Sequence, residues 1–352
     1  MNYHKSSESY NIGVYIWLLA LTTMVLLIII IGGLTRLTDS GLSMTDWRPL
    51  LGVIPPLGQD SWQTVFDMYK QTPEFKIVNR NMILEEFKFI FWWEWFHRVF
   101  ARLIGIVFII PLIYFLIKKQ VSKTLIARLT IVFIFGIFQA FVGWWMVKSG
   151  LSENPYVSPY RLTFHLLNAL IIFSILFWIA MDYKHSLKTS FISKPFSHEF
   201  FVFFSIVLVF ITIGTGGFMA GTNSGQSFNT FPFMNGKIIP DDYFLEGLGI
   251  YNIFENTVAI NFNHRWFSIF VFFYIIFICF KFIKFDNNKV PKILVIIVLI
   301  FLTLQVVLGV VTLLSNVYLP LASMHQTNSI LLLSTLLITY HQFKYRKVYN
   351  EQ

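Results

Sequence analysis

Eight long apolar runs constrain the fold of this chain more than any other feature of its sequence. A helix needs about 20 apolar residues to cross the hydrocarbon core of a bilayer. Hydrophobic residues make up 56% of the 352 residues and charged residues only 13%, more apolar surface than a soluble domain of this size could bury. The predicted spans are 13–34, 95–117, 125–147, 162–181, 199–220, 262–283, 292–314 and 320–341.

Short basic loops predict the orientation of these spans. Lysine and arginine collect around residues 118–128, 184–194 and 281–292 and again in the C-terminal tail. Because cytoplasmic loops carry the positive excess, we expect these segments and both tails (1–12 and 342–352) on the cytoplasmic side of a bacterial inner membrane. The net charge of +9 then reflects topology, and the expected partner is membrane lipid rather than nucleic acid.

Matching motifs occur in the same order in the two halves of the chain. The spacing between partners is 184, 167, 166 and 160 residues, and it changes only as the loops change in length. The sequence therefore predicts an all-α membrane protein with eight transmembrane helices in two tandem, pseudo-symmetric four-helix bundles, 13–181 and 199–341. The pairs are Gly32-Gly33 with Gly216-Gly217, His97 with His264, Gln139 with Gln305, and His165 with His325.

The long outer loop 35–93 belongs to the first bundle. It contains an amphipathic stretch, residues 74–91. We expect this stretch to lie on the membrane surface as a lid.

Four repeated histidines are the strongest candidates for a functional site. His97, His165, His264 and His325 each lie near the outer end of a predicted span. Histidine is costly in lipid, so four at one depth favour buried ligands over interfacial residues bonded to the backbone. Two imidazoles facing each other within a bundle can hold one haem iron, and the count predicts two such sites near the outer face. Zinc fits worse, because neither half offers a tetrahedral set of ligands.

The other histidines have no partners in the repeat. We interpret His4, His185, His198 and His341 as surface residues. The single cysteine, Cys279, is interpreted as a small buried hydrophobe.

Polar residues near the histidines have more than one interpretation. Asn168 and Asn328 follow a histidine by three residues on the same helical face, which suits a partner of the ligand or a helix-to-helix hydrogen bond. Gln139 and Gln305 are more typical of the second role.

Two arginines directly follow histidines of the repeat. Arg98 and Arg265 could pair with haem propionates or extend towards lipid headgroups.

The repeat breaks at one acidic residue. Glu94 lies one helical turn before His97, whereas the equivalent residue before His264 is Asn261. A carboxylate beside a haem can move protons or stabilise positive charge, and an amide cannot. The difference predicts divided roles, with the reactive site in the first half. The alternative is an ordinary carboxylate at the membrane interface.

Several motifs resemble the haem A synthase family, and the resemblance covers about residues 12–340. The Glu-Phe-Lys run resembles the branch found in mitochondria and related bacteria. The outer loops lack the cysteine pairs of other branches, so a thiol relay is not implied. The matching segments are 33–38, 40–43, 86–98, 228–232, 255–256 and 262–265.

The resemblance implies an enzyme that oxidises the C8 methyl group of haem O to a formyl group, giving haem A for terminal oxidases. It implies two hydroxylations followed by loss of water. His97 and His165 would hold substrate haem O, His264 and His325 would ligate haem b, and Glu94 would be the catalytic acid. The cofactor would carry the redox chemistry, and the protein would position it.

The resemblance also implies several partners. The farnesylating haem O synthase would supply the substrate, an unidentified acceptor would take electrons, and a homo-oligomer is possible. The alternative function is a dihaem b-type quinol oxidoreductase that uses the same ligands for electron transfer. A transporter is a third class, but the spans lack the broken helices expected of one.

Overall fold

The computed structural model describes residues 10–46, 52–152, 154–185, 197–285 and 292–345. Throughout these ranges the regular structure is helical, apart from one isolated bridge between Met234 and Lys237. The helices are α1 Ile12–Leu37, α2 Gln59–Tyr69, α3 Pro73–Ile77, α4 Leu84–Ile117, α5 Lys123–Gly150, α6 Pro159–Lys184, α7 Ser197–Gly221, α8 Asn252–Glu255, α9 Thr257–Phe285, α10 Lys292–Leu314 and α11 Leu319–Lys344.

Seven of these helices are long and apolar enough to cross a membrane, so the protein is a multi-pass membrane protein. They are α1, α4, α5, α6, α7, α9 and α10. The eighth predicted span, 320–341, falls in α11, which has 26 residues but is more polar. Its first turns contain the run His325-Gln326-Thr327-Asn328.

Equivalent helices of the two halves pack in equivalent pairs. In the first half α1 packs against α4 and α6, and α5 packs against α6; in the second half α7 packs against α9 and α11, and α10 packs against α11. The halves meet where α6 packs against α7 and where α11 packs against α1 and α6. One hydrophobic core runs through all eight long helices, so the halves share their interior.

Two glycines allow the halves to approach closely. A Cβ atom on Gly33 would lie 2.0 Å from Oε1 of Gln326, and one on Gly217 would lie 2.9 Å from Oγ1 of Thr163. Gln326 also donates a hydrogen bond of 2.9 Å to the carbonyl of Ile29. Small residues at such crossings permit backbone contact between membrane helices, and here they join α1 to α11 and α7 to α6.

The second predicted span begins earlier than the sequence indicated. Helix α4 starts at Leu84 rather than at residue 95, and Glu86 accepts a hydrogen bond from the backbone N–H of Ile83 at its start. The additional turns are stabilised because Phe87 is buried against Phe66 of α2 and Phe91 against Trp62 of the same helix. The stretch 74–91 is therefore not one surface helix, because it is divided between α3, a turn and the start of α4.

The interpretation of His341 as a surface residue was wrong. Its side chain is fully buried, and its Nε2 atom lies 2.9 Å from Oδ1 of Asp182. Arg128 donates to the other oxygen of Asp182 at 2.7 Å. The cluster joins α5, α6 and α11 at the end of the molecule opposite the repeated histidines. His185 is partly buried, with its ring centroid 6.2 Å from that of His341.

The structure tests only one of the predictions for His4, His198 and Cys279. His4 and the side chain of His198 lie outside the described residues. Cys279 is buried, as predicted, with 4% of its surface exposed.

We expect Asp182→Ala to destabilise the protein by on the order of 3 kcal/mol, because it leaves the buried His341 and the partly buried Arg128 without their carboxylate. The melting temperature in detergent measures the effect. Asp241→Ala, which removes an exposed ion pair with Lys237, should change it little. Equal melting temperatures for the two variants would show that the Asp182 cluster does not hold the helices together.

Candidate functional site

Each of the four repeated histidines lies against a glycine of a neighbouring helix. The glycines belong to α1, α5, α7 and α10, and the missing Cβ makes room for the imidazole most clearly at Gly143 and Gly309. The distances from a Cβ built on the glycine to the nearest ring atom are 3.3 Å for Gly32 and His97 Nε2, 3.0 Å for Gly143 and His165 Cε1, 3.4 Å for Gly216 and His264 Cε1, and 2.9 Å for Gly309 and His325 Cε1.

The structure brings the histidines together in the predicted pairs. His97 and His165 are close enough to interact electrostatically, and so are His264 and His325. Within the described ranges, no three His, Cys, Asp or Glu side chains gather at one point. Each half therefore provides two imidazole side chains to its candidate site.

A glutamine and an asparagine surround His165. Gln139 of α5 donates to the carbonyl of His165 at 3.0 Å, and its Nε2 lies 3.3 Å from Nε2 of the imidazole. Asn168 donates to Oε1 of Gln139 at 2.6 Å. The hydrogen bond between Asn168 and Gln139 therefore links α6 to α5, and Gln139 rather than Asn168 contacts the histidine.

The second half repeats this arrangement with small differences. Asn328 donates to Oε1 of Gln305 at 2.7 Å, and Nε2 of Gln305 lies 3.5 Å from Nε2 of His325. Asn328 also donates to the carbonyl of Phe301 at 2.9 Å. Equivalent residues of the sequence repeat therefore form equivalent hydrogen bonds in the two halves.

His264 has a partner that the sequence analysis did not identify. Oγ1 of Thr215 lies 2.8 Å from Nδ1 of His264. The equivalent residue of α1, one before Gly32, is Ile31, which cannot form this bond. Comparing the residues before the two Gly-Gly pairs would have indicated the difference. The hydrogen bond to Thr215 therefore fixes the ring orientation of His264, and Ile31 offers no such bond to His97.

Glu94 is buried and accepts hydrogen bonds from three groups. Its Oε2 accepts from Oγ of Ser43 and from the backbone N–H of Met44, both at 2.7 Å. Its Oε1 accepts from Arg98 at 2.5 Å. A carboxylate with a guanidinium partner and two further donors forms strong charge-assisted hydrogen bonds, and here it attaches the segment after α1 to α4.

The equivalent position in the second half makes a neutral version of this contact. Asn261 is fully buried, donates to the carbonyl of Ser224 at 2.6 Å and accepts from Nε of Arg265 at 2.6 Å. Arg265 also donates to the carbonyls of Thr230 and Phe228. The loop contact is therefore retained, and only the charge of the acid is lost.

Both Arg98 and Arg265 donate hydrogen bonds to backbone carbonyls of loops. Arg98 donates to the carbonyl of Met44 at 3.0 Å and to that of Asp46 at 3.2 Å, in addition to Glu94. The structure thus places Arg98 and Arg265 between their helices and the loops that cover the histidines.

A second buried acid lies near Glu94 in the cap formed by α2 and α3. Glu74 is 5% exposed and accepts a hydrogen bond of 2.9 Å from the hydroxyl of Tyr69, which is fully buried. Burial raises the pKa of Glu74 to about 8, and the negative charge of Glu94 acts in the same direction. Glu74 has no distinctive signal in the sequence, because only the packing of α2 on α4 buries it.

Comparison with known proteins identifies the family. Residues 15–337 match the COX15-CtaA family, described as cytochrome oxidase assembly protein. The chain belongs to this family. The predicted resemblance is confirmed over nearly the whole chain.

Similar proteins carry a consistent description. The chain is 41% identical over 337 residues to a heme A synthase of Nitrosospira multiformis, covering 94% of this chain and 93% of the relative. It is 41% identical to one of Wolbachia pipientis, covering 91% and 94%, and 38% identical to one of Flavobacterium johnsoniae, covering 94% and 98%.

We expect the stability of the cap to fall as pH rises. The pKa of Glu74 is raised in the folded state, so its contribution is complete below about pH 4.5 and is lost as pH approaches about 8. The loss should be on the order of 1 kcal/mol per pH unit. Glu74→Gln should remove this dependence, so the melting temperature of the variant relative to wild type should increase between pH 5 and pH 8.

Glu85→Gln is the control, because Glu85 is exposed and paired with Lys88. A parallel pH profile for wild type and Glu74→Gln would contradict the prediction.

Proposed function

We propose that this protein is a haem A synthase, an oxidoreductase that converts the C8 methyl group of haem O to a formyl group by successive hydroxylations. The observation that carries the proposal is the pair of duplicated imidazole sites, of which only one has a carboxylate beside it. Membership of the COX15-CtaA family and about 40% identity to heme A synthases support it.

The residues of both sites fit an iron macrocycle. The Nδ1 atoms of His165 and His325 are buried and have no hydrogen-bond partner among the described residues, which is costly unless a ligand compensates. We assign His97 and His165 to substrate haem O, and His264 and His325 to a resident haem b. Haem b would supply one-electron transfer.

The protein's own groups would then position the haem and balance its charge. In the first half, Glu94 holds the loop at Ser43 and places a carboxylate, paired with Arg98, one helical turn before His97. In the second half, Asn261 holds the equivalent loop without a charge. A site that must stabilise developing positive charge benefits from the acid, whereas a site that only passes electrons does not need it. This division favours chemistry in the first half.

The topology we propose follows the charge pattern. All eight long helices span a bacterial inner membrane as two tandem four-helix bundles, with α11 as the eighth span. Both termini are cytoplasmic, and the histidine ends of the bundles face outwards. The bilayer would deliver haem O from its synthase, electrons would leave to an acceptor, and a homo-oligomer is compatible with this arrangement.

The haem content of histidine variants tests the assignment. With a haem O synthase co-expressed, we expect wild type to contain haem b together with haem O or haem A. His97→Ala should keep haem b and lose the others, and His264→Ala should lose haem b. His185→Ala is the control and should match wild type. Protohaem alone in wild type would support the quinol oxidoreductase instead.

The role of Glu94 is tested by comparing two variants. Glu94→Gln removes the charge, and we expect haem A formation to fall by about 100-fold or more. Ser43→Ala removes one of the hydrogen bonds to Glu94 but keeps the carboxylate, and it should retain most activity. Haem A per mole of protein is measured after extraction. Equal losses in the two variants would mean that Glu94 acts only by holding the loop.

A further inference from the structure

Two glycines on the inward faces of α4 and α5 border open space. A Cβ built on Gly105 or on Gly136 would meet no atom within 4 Å, and both residues are exposed. Glycines that face the lipid would also have no neighbouring atoms. Gly105 and Gly136, however, do not lie on the lipid-facing sides of their helices.

Gly136 lies on the buried face of α5. It is seven residues before Gly143, which contacts His165, and seven after Leu129, which is fully buried. Residues seven apart are nearly in line on a helix. Gly136 therefore faces the interior, about 10 Å along the helix from the contact with His165.

Gly105 occupies the matching place on α4. It follows Arg98 by seven residues and precedes Leu112 by seven, and Leu112 packs against the hydrophobic core. Ala101, between Arg98 and Gly105 on this face, is also exposed. At this level of α4 and α5, small residues therefore border open space on the inward faces.

The second half fills the equivalent space. With the spacings of 167 and 166 residues, Gly105 corresponds to Phe272 and Gly136 to Leu302. Leu302 is only 3% exposed, and Phe272 packs against the core. Accordingly, α9 packs against α10. The equivalent helices α4 and α5 are both fully described, and they make no comparable contact with each other.

The open space between α4 and α5 is closed at one end by two aromatic rings and reaches the histidines at the other. Phe108 of α4 and Phe133 of α5 stack with their ring centroids 5.9 Å apart, three residues beyond Gly105 and Gly136 respectively. From His97 to Phe108 the cleft extends about 16 Å along α4. At its other end lies His165, whose buried Nδ1 has no partner among the described residues.

We propose that this cleft between α4 and α5 binds the farnesyl chain of haem O, and that Gly105 and Gly136 select the farnesylated substrate for the first half. The proposal rests on the proposed function. The occupant must be apolar, long and attached to a group held by His97 and His165, because Gly105, Gly136 and the stacked rings of Phe108 and Phe133 border the cleft and it continues from that pair. Phe272 and Leu302 fill the equivalent volume in the second half, so that site takes a haem without the chain.

The test transfers the side chains of the second half into the first. Gly105→Phe/Gly136→Leu is expressed with a haem O synthase, and the extracted haems are separated chromatographically. We expect the ratio of haem O plus haem A to haem b to fall at least about tenfold, as overfilling a binding space predicts. Haem b should be retained, which also shows that the protein is folded.

Ala127→Leu is the matched control, because Ala127 is exposed on the opposite face of α5 from Gly136 and should leave the ratio unchanged. If the double variant loses haem b as well, Gly136→Leu alone is used. An unchanged ratio in a variant that keeps haem b would overturn the proposal, while haem A in wild type would still support the proposed function. Absence of haem O and haem A from wild type would instead overturn the proposed function.

Discussion

The contact of an imidazole with the bare backbone of a glycine is the feature on which this structure depends. Four such contacts occur, and each joins a histidine to the helix packed beside it. A methyl group on Gly309 would lie 2.9 Å from the ring of His325, closer than two carbon atoms can pack. Helix packing and the position of the imidazole therefore depend on each other at these glycines.

The neighbouring glycines serve the contact between the halves. Gly33 and Gly217 each directly follow a glycine that accommodates a histidine, and each allows a helix of the other half to approach. One Gly-Gly pair thus sets both the position of a ring and the distance between halves. This arrangement explains why a duplicated protein has one continuous core rather than two independent ones.

The duplication provides an internal control for the function of each half. Where the halves agree, as in the contacts of Gln139 with Asn168 and of Gln305 with Asn328, the feature is common to both imidazole sites. Where they differ, the feature separates the proposed roles. Glu94 adds a charge to the first half, and Thr215 fixes a ring in the second. The cleft at Gly105 and Gly136 gives the first half room that Phe272 and Leu302 remove from the second.

The sequence by itself determined the long helices, the repeat and the histidine pairs, because each depends on local hydrophobicity or on spacing within one helix. Seven spans were predicted to within a few residues at most ends, although α4 begins earlier than predicted, at Leu84. Only the tertiary structure decided which polar residues are buried. His341 and Glu74 have ordinary surroundings in the sequence, and they are buried because distant helices pack over them. Burial depends on contacts between segments far apart in the chain, which no local pattern records.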